Sequence, residues 1–335
     1  MAFHQLPKAP ADLKGRITMR ILVTGGSGFI GQRVVGKLLN DNHHVVILSR
    51  RPMAIAAAHG DRLDAAKGDI RVFSDVMQAV CDFEIEVVVH VAYTLTAEGE
   101  ANPLLALQVN TLGAGNIFEA ARLAKVKRVV LCGSIAAYAQ PEYYQGRPVT
   151  EDEVIMKPTS IYGATKVLNE FMASRFESRY GVEIPCLRIS AVYGSGRADR
   201  GVTAWTTQMV AGAIEGTPVS IKLRADQLSN FIYVDDVAEQ LFRLTIMDNL
   251  KYRVYNSGGH AATPSEFTKI VHKYYPNLKI NFDPNAPKWP YPHLVDGSRL
   301  EKEIGFTVRS PEEGLLAQIN YERAKIGQAP FEMLR

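Results

Sequence analysis

Apolar and polar positions divide the chain into short buried strands alternating with amphipathic helices. Ile21, Leu22 and Val23 form an unbroken apolar run, the mark of a strand buried on both faces. A glycine-dense turn follows, and from Phe29 apolar residues recur at helical spacing through Ile30, Val34, Val35, Leu38 and Leu39. Runs at 44–48, 63–70, 86–91, 128–132 and 187–191 predict five further strands. Between them the pattern predicts a helix capped by Ser74, a long helical stretch over about 99–124, and a helix that opens at 158–166 and runs to about Tyr180. Strands alternating with helices imply a parallel sheet. Residues 139–157 read as a loop able to shape a substrate entrance, and 192–196 as a turn. Beyond it the alternation loosens. A helix near 203–215, short strands near 219–223 and 229–233, and a helix over 235–247 are expected. Five prolines between 276 and 292 argue against regular structure there, and two terminal helices begin near Ser298 and Ser310.

Strand, glycine turn and helix in that order open a dinucleotide-binding βαβ unit, which gives the turn its chemistry. Glycine lets the backbone approach a pyrophosphate, while free N–H groups at the helix start favour negative charge. Two spacings fit: Gly26-x-Gly28-x-x-Gly31 and Gly25-x-x-Gly28-x-x-Gly31. The candidate cofactor-binding turn comprises Gly25, Ser27, Gly28, Phe29, Ile30 and Gly31. The second strand ends at Ser49-Arg50-Arg51-Pro52, where an acid would bind a ribose 2′-hydroxyl. Arg50 and Arg51 suit a 2′-phosphate instead, which favours NADP over NAD.

Composition narrows the class. The chain has 335 residues, 47% hydrophobic and 22% charged, with 38 basic against 35 acidic side chains. That balance gives no reason to expect nucleic acid or a membrane surface, and no apolar run approaches bilayer length. Cys81, Cys132 and Cys186 are too few for a disulfide framework or a zinc site, so they read as small core residues in a reducing cytoplasm. No metal is expected, and His90 reads as a packed or hydrogen-bonded histidine. Residues 1–18 read as a flexible leader without an address.

Catalytic chemistry comes from Tyr162-x-x-x-Lys166, which puts both side chains on one helix face. An ammonium ion beside a buried tyrosine lowers the phenol's pKa and makes it a general acid or base. Ser134, at a strand's C-terminal end, would orient the substrate oxygen. The same spacing recurs at Tyr275/Lys279, interrupted by Pro276, and at Tyr321/Lys325 on a terminal helix, but neither follows a strand-end serine.

Thr24-Gly25-x-x-Gly28-x-x-Gly31, Asp69-Ile70, His90-x-Ala92, Asn110, Ser134 and Tyr162-Gly-Ala-Thr-Lys166 together resemble the extended short-chain dehydrogenase/reductases, and among them the NAD-dependent epimerase/dehydratase family. Segments 187–194, 231–238 and 296–300 carry the resemblance to about residue 322. It implies an α/β fold: a Rossmann-type doubly wound parallel sheet with a smaller C-terminal substrate-binding lobe. The Rossmann domain would cover 19–191, with elements near 231–256 returning to it, and the lobe 192–230 and 257–335. By the same resemblance Asp69, with Ile70 beside it, would contact adenine, Ala92 would line the cofactor, and Asn110 would lie near the active site. Lys166 would also bind the nicotinamide ribose.

Three departures bear on substrate. Relatives acting on nucleotide sugars usually carry asparagine where Ala191 stands and arginine where Ser229 stands, both for the diphosphate. Tyr93 replaces a small residue after His-x-Ala, so Tyr93 and Tyr138 are candidate walls of a substrate pocket together with Ser134 and Ala191. The leading expectation is an NAD(P)-dependent oxidoreductase acting on a secondary alcohol or ketone of a small molecule, sugar-derived ones included. A nucleotide-sugar epimerase/dehydratase and a non-catalytic NADP-binding regulator are the alternatives. A homodimer is compatible with any of them.

Overall fold

The computed structural model describes residues 18–51, 61–153, 156–197 and 201–334. Most of the expected leader (1–17) and Pro52 lie outside them. Among the described residues twelve strands run in chain order. The first six are β1 (Arg20–Thr24), β2 (His44–Ser49), β3 (Leu63–Lys67), β4 (Val87–His90), β5 (Arg128–Ser134) and β6 (Cys186–Ile189). After them come β7 (Ala191–Tyr193), β8 (Val219–Ile221), β9 (Ser229–Tyr233), β10 (Val254–Asn256), β11 (His260–Ala262) and β12 (Ile280–Phe282).

Seven of these form one sheet in the order β10-β6-β5-β4-β1-β2-β3. β1 pairs in parallel with both β2 and β4, β2 with β3, and β4 with β5. The order reverses between β1 and β4, the switch point at whose carboxyl ends open α/β sheets bind ligands. Helices Gly31–Asn40, Phe73–Asp82, Gly113–Leu123 and Ile161–Tyr180 serve this sheet. The strand residues Ile21–Val23 and Val87–Val89 are buried to 1% exposure or less, as expected for strands covered on both faces.

The described residues divide into two compact units. One takes the chain up to Ala137, then Pro158–Arg188 and Ala238–Tyr255; the other takes Tyr138–Lys157, Ile189–Val237 and the chain from Asn256 onward. The second unit holds a three-stranded sheet, β11-β9-β7, and the pair β12-β8. Its core is aromatic, with Phe231, Phe267, Trp205 and Tyr193 in edge contacts at 5.0–6.0 Å between ring centroids.

Several expectations change. The run at 187–191 is two strands, because Ser190, whose N–H donates to Ser257 Oγ at 3.0 Å, ends β6. β7 then pairs with β9, so Val192 and Tyr193 are strand rather than turn. Ser74 does not cap its helix, which already begins at Phe73. The stretch over 99–124 is several pieces: Thr96–Ala101, a turn opened by Asn102 and Pro103, a π-helical turn Leu107–Leu112, and Gly113–Leu123. Proline stops the first piece, and the wider π turn shifts the register of Gly113–Leu123. The proline-bearing segment holds the short β12, paired in parallel with β8. Cys81 is exposed, while Cys132 and Cys186 are buried. Among the described residues no helix is long and apolar enough to cross a membrane, and no cluster of His, Cys, Asp or Glu could hold a metal ion.

Candidate active site

The glycine turn lies between β1 and the helix Gly31–Asn40, and its geometry decides between the two spacings. Gly25 has φ +69°, and a Cβ there would lie 2.9 Å from the Ala92 nitrogen. Gly31 is tighter still: a Cβ would stand 2.1 Å from the Gly25 carbonyl oxygen. Gly28 closes the turn by donating its N–H to that same oxygen at 2.9 Å. The frame is therefore Gly25-x-x-Gly28-x-x-Gly31, while Gly26 packs against Ile47 of β2. No side chain caps the helix and no acid lies in its first turn. Ser27 and Gly28 are exposed, with Phe29 and Ile30 half-buried. A turn with glycine at 25, 26, 28 and 31 before an uncapped helix start fits a dinucleotide pyrophosphate.

Others of the expected cofactor set follow the carboxyl ends of β2, β3 and β4. Ala92 stands against Gly25, its N–H donating to Thr24 Oγ1 at 3.3 Å. Arg50 and Arg51 are exposed at the carboxyl end of β2. Asp69 is held by Arg71 through its side chain, with Nη2 to Oδ2 at 2.6 Å, and that hydrogen bond keeps its carboxyl below the usual range. The Ile70 carbonyl is anchored by Asn116 at 2.8 Å.

β5 delivers the serine. Every residue of Arg128–Ser134 is buried, and Ser134 is the last of them, its Oγ accepting from Ala136 N–H at 3.1 Å. The helix carrying Tyr162 and Lys166 starts at Ile161, where Ser160 Oγ accepts from Gly163 N–H at 3.0 Å, and stops at Gly181 with φ +73°. Gly163 permits the approach of helix to strand end, since a Cβ there would lie 2.2 Å from the Ala136 carbonyl oxygen. The Tyr-x-x-x-Lys spacing does not single out that glycine, although it stands directly beside the tyrosine.

Lys166 is 1% exposed and donates to the Cys132 carbonyl at 2.7 Å, two residues before Ser134. Its nitrogen lies 5.2 Å from the Tyr162 ring centroid and 2.8 Å from that of Tyr93. Burial lowers the ammonium pKa to about 7. His90 is a packed histidine: its Nδ1 lies 2.7 Å from Thr24 Oγ1, and burial pushes its pKa down to about 3. Because Thr24 Oγ1 accepts from Val91 and Ala92, its own proton goes to His90 Nδ1, so the neutral ring carries its hydrogen on Nε2.

Asn110 sits in the π turn. Its Oδ1 accepts from Thr94 N–H at 2.9 Å, and its Nδ2 donates to the Thr94 carbonyl at 3.1 Å and to Thr165 Oγ1 at 3.3 Å. Asn169, one turn beyond Lys166, donates to the Asn110 carbonyl at 2.8 Å. Sequence spacing gave no sign of this network, because it depends on the π turn.

Tyr138 and Ala191 belong to the second unit. Tyr138 is buried, its hydroxyl within hydrogen-bond reach of Asn256 Oδ1 (2.7 Å) and the Thr150 carbonyl (3.1 Å). Ala191 is buried in β7, in register with Phe231 of β9.

Comparison with known proteins gives the family. The model of the NAD dependent epimerase/dehydratase family matches residues 21–258. The UDP-glucose 4-epimerase of Mycolicibacterium smegmatis is 30% identical over 232 residues, 67% of this chain and 72% of that protein. The mitochondrial L-threonine 3-dehydrogenase of Bos taurus is 28% identical over 319 residues, 91% of this chain and 81% of that one. Among solved structures, UDP-glucose 4-epimerase of Thermus thermophilus in complex with NAD superposes with a TM-score of 0.79 at 26% identity, covering 91% of this chain and 99% of that one. With the family model spanning the glycine turn, the strand-end serine and the Tyr162 helix, the chain belongs to the NAD-dependent epimerase/dehydratase family and is an NAD(P)-dependent enzyme of the extended short-chain dehydrogenase type.

Proposed function

We propose that the enzyme interconverts a secondary alcohol and a ketone on a small hydroxylated substrate, with Tyr162 as general acid/base, Lys166 as its electrostatic partner and Ser134 orienting the substrate oxygen. The observation that carries this reading is the Lys166 ammonium, fixed on the Cys132 carbonyl beside the Tyr162 ring at the end of β5. A nicotinamide cofactor, when bound, would supply the hydride acceptor or donor. Gly25, Gly28 and Gly31 would seat its pyrophosphate, and Lys166 its ribose. Near a buried cation the phenol releases its proton more readily, and the phenolate can then take the proton of a substrate hydroxyl. A hydrogen bond from Ser134 would stabilise the charge that develops on that oxygen. Turnover assays with hydroxy amino acids, alcohols, aldoses, sugar acids and nucleotide sugars test the assignment; no activity with any of them under either cofactor would count against it.

NADP is the preferred cofactor in this reading, because Arg50 and Arg51 stand exposed where an acid would otherwise hold a 2′-hydroxyl. A charge-assisted contact of about 1.5–3 kcal/mol gives NADP about tenfold or greater preference. Equilibrium titration checks this, and equal or tighter binding of NAD would rule it out.

The epimerase relatives make a nucleotide sugar the competing substrate, and the second unit argues against it. Ala191 and Ser229 are buried and bring no charge to the positions where a diphosphate would need one. Arg224, an arginine five positions before Ser229, is committed to Asp226 at 2.9 and 3.0 Å and to the Pro284 carbonyl at 2.8 Å. Lacking one charged contact and one amide contact, the site should bind a nucleoside diphosphate about a hundredfold more weakly than a site that has both. Calorimetry with UDP-glucose is expected to show no low-micromolar binding. Tight binding displaced by UDP would put the epimerase first.

A further inference from the structure

Tyr93 is the residue at this site that the motifs leave unexplained. Its ring face lies under the Lys166 ammonium at 2.8 Å, and its edge meets the His90 ring at 4.8 Å between centroids. Its hydroxyl oxygen is buried. The backbone on either side is pinned, Ala92 to Thr24 and Thr94 to Asn110 in the π turn. Asn110 also reaches Thr165, the neighbour of Lys166, so one asparagine sets both the loop that carries the ring and the helix that carries the ammonium.

We infer that Tyr93 is a positioning residue for Lys166, its ring face holding the ammonium over the Cys132 carbonyl at the end of β5. The inference rests on the cofactor-holding role proposed above for Lys166. An aromatic face attracts an ammonium ion much more strongly than a neutral amine, so the ring opposes the effect of burial. The other groups around Lys166 offer little compensation. Glu170, on the same helix, is paired with Arg188 at 2.7 Å. Burial pushes the Cys132 thiol up to about 12 and the Cys186 thiol well above its ordinary value, so both are neutral. His90 is neutral as well, and the Tyr162 ring lies 5.2 Å away. The Tyr93 ring and the Cys132 carbonyl are the groups in closest contact with the charge, while Glu170 favours it from farther off.

The test is the pH dependence of NAD binding to the full-length enzyme. NAD is the chosen probe because it lacks a 2′-phosphate, which would titrate near pH 6 on its own account. In the wild type, affinity should fall as pH rises through about 7, where Lys166 loses its proton. Lys166→Ala should weaken binding and remove that limb. Tyr93→Phe keeps the ring and should leave the limb where it is. Tyr93→Leu and Tyr93→Met fill the space without a ring, and each should move the limb down by about one pH unit, a tenfold change in ionisation. Limbs in both apolar variants that coincide with the wild type would overturn the inference. So would a shift in Tyr93→Phe as large as in Tyr93→Leu, since the hydroxyl and not the ring would then be responsible. If instead Lys166→Ala binds NAD with wild-type affinity and pH profile, the cofactor role of Lys166 itself fails, and the inference falls with it.

Discussion

Tyr162→Phe is expected to abolish turnover while leaving cofactor affinity nearly unchanged. The substitution removes one oxygen from a half-buried side chain and leaves the ring beside Lys166. Lys166 keeps its bond to the Cys132 carbonyl, the Tyr93 face remains below it, and the glycine turn is untouched. What disappears is the group that exchanges a proton with the substrate oxygen. Such a group contributes about 10²–10⁴-fold, and the loss should appear in kcat rather than in the cofactor Kd. Single-turnover kinetics with a substrate from the screen, beside an NAD titration, separates the two quantities. Activity within about tenfold of wild type would remove Tyr162 from the catalytic role. A parallel loss of cofactor affinity would mean that its hydroxyl also helps to build the binding site.

The parts of this arrangement that could be read from sequence are those with a local cause. Val87–Val89 and Ile21–Val23 are strands because consecutive apolar residues need cover on both faces, and that need is written in the residues themselves. Tyr162 and Lys166 share a helix face because of helical periodicity. The turn at residue 25 was legible as glycine-rich but not as a frame, since the choice between Gly25 and Gly26 depends on a positive φ and on Ala92, 67 positions away. Tertiary pairing accounts for most of the rest. β7 leaves the line of β6 to join β9, and β12 exists because β8 lies alongside it. The helix Pro264–Tyr274 is a different case: Thr263 and Glu266 form a reciprocal capping box around Pro264, a local signal legible in the residues although no helix was expected there. Lys166 on the Tyr93 face had no local signal, because Asn110 of the π turn, 16 residues beyond Thr94, sets the Tyr93 loop through that threonine.

Gly31→Ala is expected to destroy cofactor binding, and it tests the glycine turn more sharply than removal of any one contact. The added Cβ would stand 2.1 Å from the Gly25 oxygen, 2.8 Å from the Gly25 carbonyl carbon and 2.9 Å from the Gly26 Cα. All three are backbone atoms, so no side-chain rotation can relieve the contact and the helix start must move away from β1. That movement opens the Gly28 to Gly25 closure and displaces the N–H groups that would face the pyrophosphate. Overpacking of this kind costs about 1–3 kcal/mol of stability. The variant should therefore fold with a lowered Tm and bind both NAD and NADP at least about a hundredfold more weakly, the equivalent of about 2.7 kcal/mol. Gly115→Ala is the matched control. Gly115 lies within the helix Gly113–Leu123 with nothing inside 4 Å of an added Cβ, so alanine there should stabilise the fold by about 0.5–1 kcal/mol and leave cofactor binding alone. Thermal unfolding and cofactor titration of the two variants give the comparison. If Gly31→Ala binds cofactor as the wild type does, the turn between β1 and its helix is not the pyrophosphate seat.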